Sequence, residues 1–92
     1  MSHAASVHMQ PRLQHAIEPA GADPRDFYRL GMMYSTGASV PADMVTAHKW
    51  FNIAAMRGDA EAARLRREIA CEMSESEIAA AQRAARDWIT RH

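Results

Sequence analysis

From residue 47 to residue 58 the chain sets small residues at fixed intervals around one tryptophan: Ala47, Trp50, Ala54, Ala55 and Gly58. Steps of three and four residues place Ala47, Trp50, Phe51, Ala54 and Ala55 along one face of an α-helix. Alanines at contact positions let a second helix approach closely, and the large indole then supplies the buried area. No segment alternates apolar and polar residues with period two, so the expected fold class is all-α, built from antiparallel helix hairpins.

The punctuation of the chain divides it into four helices. Asp23-Pro24-Arg25-Asp26 opens the first: Asp23 as cap, Pro24 at the first helical position, and Asp26 where a negative charge favours the N-terminal dipole. Phe27, Leu30, Gly31 and Tyr34 then form one stripe, and Gly37 ends the helix. After the connection ASVPAD, in which Pro41 holds Val40 extended, a second helix is expected from Pro41 or Ala42 to Arg57, closed by Gly58. Asp59 opens a third helix through Met73, with Ala62, Leu65, Ile69 and Met73 inward. Ser74 with Glu77 is a capping box, and the fourth helix runs to about Thr90. Its inward residues are Ile78, Ala81, Ala85, Trp88 and Ile89. Since the inner faces are rich in Ala and Gly, Phe27, Tyr34, Trp50, Phe51, Leu65 and Trp88 must supply most of the burial.

Residues 1–22 carry two prolines, one glycine and no sustained period. They are expected to form a flexible N-terminal arm, with a short turn near Leu13 and Ile17. His3, His8 and His15 read as solvated residues of that arm rather than as metal ligands. Residues 23–92 are expected to form the domain, with a repeat over about 24–58 and capping helices over about 59–91.

Phe27-x-x-Leu30-Gly31-x-x-Tyr34 followed by Ala47-x-x-x-Phe51 follows the tetratricopeptide pattern, with Phe27 in place of its first tryptophan. With its longer connection, the segment LGMMYSTGASVPADMVTAHKWFNIAAMRGDAEA resembles a Sel-1-like repeat. Leu30, Gly31, Tyr34, Gly37, Val40, Asp43, Ala47, Trp50, Ala54, Ala55, Gly58 and Ala62 fall in its register. The closing segment EMSESEIAAAQRAARDWI is similar to helical endings that follow such repeats in bacterial proteins. The resemblance implies an α-α superhelix with one full repeat and a C-terminal capping helix pair. It also implies an adaptor or scaffold that binds other proteins. No second L-G-x-x-Y follows Gly58, and Ala85-x-x-Trp88 only echoes Ala47-x-x-Trp50. A long superhelical groove is therefore not expected.

Charge and composition bear on the competing functions. Lys plus Arg and Asp plus Glu are both 11, and a balanced chain is not built mainly to neutralise phosphates. The run Arg64-Leu65-Arg66-Arg67 has Glu61, Glu68 and Glu72 one turn away on the same helix, so it reads first as a solvated charged face. A nucleic-acid-binding regulator using Arg64, Arg66, Arg67, Arg83 and Arg86 is the alternative, and it predicts steep salt dependence. Cys71 is the only cysteine, so neither an intrachain disulfide nor a multi-cysteine metal site is available. Its neighbours Glu68, Glu72 and Glu75 disfavour a thiolate nucleophile. No phosphate loop, metal-ligand spacing or nucleophile elbow occurs, and no sequence motif supplies His48 with a catalytic partner. The chain is expected to be non-catalytic, without cofactor or metal. No signal peptide and no apolar run of membrane-spanning length is seen, so the expected location is cytoplasmic, with no membrane partner.

The expected partner is another protein, and self-association is compatible with the same reading. In tetratricopeptide-like repeats the first helix of each hairpin lines the concave face, which directs Arg25, Tyr28, Arg29, Met32 and Ser35 toward a partner. His48 and Lys49 fall off the Ala47/Trp50/Ala54 stripe and are expected to point sideways or outward as contacts on the outer face, and Asn52 is a further candidate contact.

Overall fold

The computed structural model describes residues 23–92, and the arm expected over residues 1–22, with its three histidines, lies outside them. The described residues form four helices: α1 (Pro24–Thr36), α2 (Met44–Met56), α3 (Ala60–Ala70) and α4 (Glu75–Arg91). No strand occurs among them.

The caps account for the boundaries. Asp23 accepts from the Arg25 backbone N–H at 2.9 Å. Gly37, at φ 77°, takes the left-handed conformation that ends α1, and its N–H and that of Ala38 both donate to the Met33 carbonyl. The Asp43 N–H donates to the Tyr34 carbonyl at 2.9 Å, tying the connection back to α1. α2 starts at Met44 rather than at Pro41 or Ala42, because Asp43 accepts from both the Thr46 N–H and its hydroxyl. That cap leaves Pro41 and Ala42 in the exposed connection. Asp59 caps α3 by accepting from Ala62 N–H at 2.9 Å. α3 stops at Ala70 instead of reaching Met73, and residues 71–73 turn the chain before the next cap. Ser74 and Glu77 form the expected capping box, with bonds of 3.1 and 2.8 Å.

The centre of the fold is α2. It packs extensively on α1, α3 and α4 alike. α3 and α4, although joined by a short turn, use α2 as their main partner. The core contains Phe27, Leu30, Ala47, Trp50, Phe51, Ile53, Ala54, Ala62 and Ala85. Gly31 adjoins it: a Cβ there would lie 2.8 Å from Phe51 Cγ and closer still to Cδ1 and Cε1. Thus the missing side chain at Gly31 admits the Phe51 ring.

Two expectations about burial change. Ile53 lies off the expected stripe yet is fully buried, whereas Tyr34, Leu65 and Trp88 are only partly buried. His48, expected on the outer face, is 3% exposed. The reason is common to both: a helix with neighbours on three sides has little outer face. Lys49 is the only charged residue within α2, apart from the titratable His48. A helix so sparsely charged around its circumference is the signal of a central element.

Aromatic rings close one end of the core. Phe27 and Trp50 each meet Trp88 edge-on, at centroid distances of 5.2 and 5.5 Å. The Arg57 guanidinium lies 4.9 Å from the Phe27 centroid and 5.8 Å from that of Trp88. Trp88 thereby ties α4 to the repeat hairpin, with its indole N–H buried and unpartnered among the described residues.

Candidate interaction surfaces

The first candidate surface is built on α1 and the start of α3. Asp59 is buried because it caps α3 beside the core, and its second carboxylate oxygen accepts from Arg25 at 3.0 Å. Arg25 also donates to Glu61 at 3.3 Å, and its guanidinium lies 3.8 Å from the Tyr28 ring centroid. The Tyr28 hydroxyl donates to Glu61 at 3.2 Å, while its ring sits 6.1 Å from Phe51. One acidic turn of α3 therefore holds both an arginine and a tyrosine of α1 in place. With side chains 45% exposed on each side, the Arg25–Glu61 pair adds little stability by itself. Its consequence is positional: the Arg25–Tyr28 stack is presented already ordered.

The other α1 candidates differ in character. Arg29 is exposed and pairs with Asp26 at 2.7 Å. Met32 is half-buried against the core. Ser35 is half-buried, and its hydroxyl donates to the Met32 carbonyl at 3.2 Å.

The second candidate is a cleft of about 370 Å3 among α2, α3 and α4. α2 contributes His48 and Asn52, α3 contributes Arg66, Arg67 and Ala70, and α4 contributes Ile78 and Gln82. Asn52 accepts from the Arg66 guanidinium at 2.7 Å, bridging α2 and α3. His48 has its Nδ1 buried and unpartnered among the described residues. Burial, and secondarily the nearby Arg66 charge, push the His48 pKa below its ordinary 6.5. The imidazole is therefore neutral at pH 7, with one nitrogen as donor and the other as acceptor.

Sequence reasoning offered His48, Lys49 and Asn52 as partner contacts, the first two on an outer face, and the structure separates His48 from Lys49. His48 and Asn52 line the cleft, whereas the half-buried Lys49 has its ammonium 4.2 Å from the Trp50 centroid. The arginine run separates as well. Arg64 pairs with Glu68 at 2.6 Å and Glu61 at 3.8 Å, Arg66 turns to Asn52, and Arg67 lines the cleft. Of the acidic residues expected to neutralise that run, Glu72 pairs with none of its arginines among the described residues.

No group of acidic, histidine or cysteine side chains positioned to hold a metal occurs among the described residues. Cys71 is exposed and its thiol donates to the Arg67 carbonyl at 3.4 Å. No helix of the described residues is long and apolar enough to cross a membrane.

No curated protein and no solved structure matches the chain. Residues 28–59, spanning most of α1, the whole of α2 and the cap of α3, match the family model of the Sel1 repeat. The same residues form the α1–α2 hairpin, with Phe51 against Gly31 and Asp59 closing it, so this segment of the chain is similar to a Sel1 repeat.

Proposed function

We propose that this chain is a non-catalytic adaptor that recruits another protein through the α1 face carrying Arg25, Tyr28, Arg29, Met32 and Ser35. Sel1 repeats generally mediate protein–protein interaction, which supports an interaction module. The observation that carries the choice of face is the Arg25–Tyr28 stack, held by Asp59 and Glu61. Arginine and tyrosine are enriched among the residues that dominate binding energy. Ordering them before encounter lowers the entropy lost on association. Lys49, fixed over Trp50, supplies a further cationic contact on the repeat.

The nucleic-acid alternative draws less support. Arg64 is neutralised by two glutamates, which interrupts the row of cations that phosphate binding requires.

The test is co-purification with the full chain, identification of the bound protein, and measurement of its affinity for the wild type and Tyr28→Ala. A loss of affinity of about tenfold or more, with unchanged circular dichroism, is expected of a binding-energy residue. Equal affinity for both proteins would overturn the choice of face. Recovery of RNA or DNA instead of protein, released steeply by salt, would overturn the adaptor reading.

A further inference from the structure

We propose that the cleft among α2, α3 and α4 is a second recognition site, which receives a glutamate or aspartate side chain of a bound peptide segment. This assignment rests on the interaction-module reading but uses residues distinct from the α1 face.

Charge is the first argument. Arg66 and Arg67 both line the cleft, and no acidic residue does. One turn along α3, Arg64 is neutralised by Glu61 and Glu68. Among the described residues Arg66 meets only the neutral amide of Asn52, and Arg67 makes no ion pair. The cleft thus concentrates cationic charge in a chain whose formal balance is zero.

The second argument is the polar group already withdrawn from solvent. His48 is 3% exposed and its Nδ1 lacks a partner among the described residues. Buried polar atoms are nearly always hydrogen-bonded, and an unpaired one calls for a physical reason. A carboxylate seated beside Arg66 supplies an acceptor for the neutral imidazole N–H once the ring turns it into the cleft that His48 lines.

Geometry narrows the ligand further. Asn52, accepting through Oδ1, braces the Arg66 fork and retains its own amide N–H groups as donors. A planar guanidinium held in this way favours two parallel bonds to a carboxylate. Ala70 and Ile78 give the cleft an apolar side against which the methylenes of an acidic side chain can rest. The volume stands near the lower end of ligand pockets, roughly 300–1,000 Å3, which suits one acidic side chain with a little backbone. A nucleic-acid strand would need cations continuing along α3, where Arg64 is already paired.

The test uses the full chain and capped Gly–Ser hexapeptides bearing no, one or two glutamates, followed by NMR of the His48 ring and the Arg66 side-chain N–H. The glutamate peptides are expected to shift both sets of resonances saturably, and the glutamate-free peptide to leave them in place. Arg66→Gln should weaken binding by about tenfold or more, as loss of a charge-assisted bond implies, and Arg66→Lys should restore it only in part. Arg67→Gln provides a second variant, since its exposed side chain does not brace the fold.

Absence of saturation up to about 10 mM peptide, or equal binding by the Arg66→Gln variant, would overturn the assignment. Tighter saturation by inorganic phosphate would make the cleft a free-anion site, and shifts produced by raising protein concentration alone would make a second copy its occupant. Either outcome overturns the peptide assignment. If an identified protein still binds in a Tyr28-dependent way while the glutamate peptides fail, the cleft assignment falls and the adaptor reading stands.

Discussion

Replacing Gly31 with alanine sets two opposite effects against each other, and the structure determines which wins. In a helix interior, Gly→Ala is worth about 1 kcal/mol of stabilisation from propensity alone. At this position, however, the added Cβ would stand 2.8 Å from Phe51 Cγ and nearer to two other ring carbons. Carbon atoms rest about 3.5–4.0 Å apart, so three ring atoms overlap the new methyl at once. Phe51 is 1% exposed and has Tyr28 beside it, so the ring has no open space into which to turn. Overpacking of this kind costs about 1–3 kcal/mol, and an overlap this deep falls in the upper half of that range. After the propensity gain is subtracted, Gly31→Ala should destabilise by about 1–2 kcal/mol. At a urea dependence of about 1 kcal/mol per molar for a small domain, the midpoint should fall by about 1–2 M. The informative assay is a double-mutant cycle by urea denaturation with Phe51→Leu, which removes the ring. In that background Gly31→Ala should cost nothing or stabilise, giving a coupling of about 1–3 kcal/mol. A rise in the wild-type midpoint, or the same fall in both backgrounds, would refute the contact as the reason for the glycine.

Trp50→Ala should cost about 3–5 kcal/mol, since the indole is 2% exposed and meets both Phe27 and Trp88; an unchanged urea midpoint would contradict this packing. The depressed His48 pKa gives a pH dependence of defined sign. Above the unfolded value of 6.5 the residue is neutral in both states, and below it the unfolded chain takes up a proton more readily than the native one. Stability from this group should therefore fall as the pH drops below 6.5 and level off beneath the folded value, and an NMR titration midpoint at or above 6.5 would refute it. Ser74→Ala removes one half of the α4 capping box and should cost about 1 kcal/mol, read as a lower thermal midpoint; no change would refute a stabilising role for the cap.

The caps and the repeat register were legible from local chemistry. As caps, Asp23, Gly37, Asp59 and Ser74 each act within a few residues of their own position, so their capping bonds follow from neighbours in the chain. The Gly31–Phe51 relation was legible only in outline: the register marked both residues, but the ring that fills the space at Gly31 comes from the facing helix. On α1, sequence reasoning selected Arg25 and Tyr28 without anticipating that Glu61 would hold both. Arg57 was missed as an aromatic contact because it caps α2 and reaches residues of α1 and α4.

The sequence by itself determined the helical class, the main punctuation and the Sel-1-like hairpin, because helical period, capping and turn geometry are properties of short segments. Tertiary structure decided that α2 lies between three neighbours, and with it the burial of His48 and Ile53. Periodicity records where one apolar face lies, but it does not count how many helices will pack around a segment. The cleft follows the same rule: Asn52, Arg66 and Gln82 line it from three different helices. Their conjunction depends on how those helices settle on α2, and no local spacing encodes it.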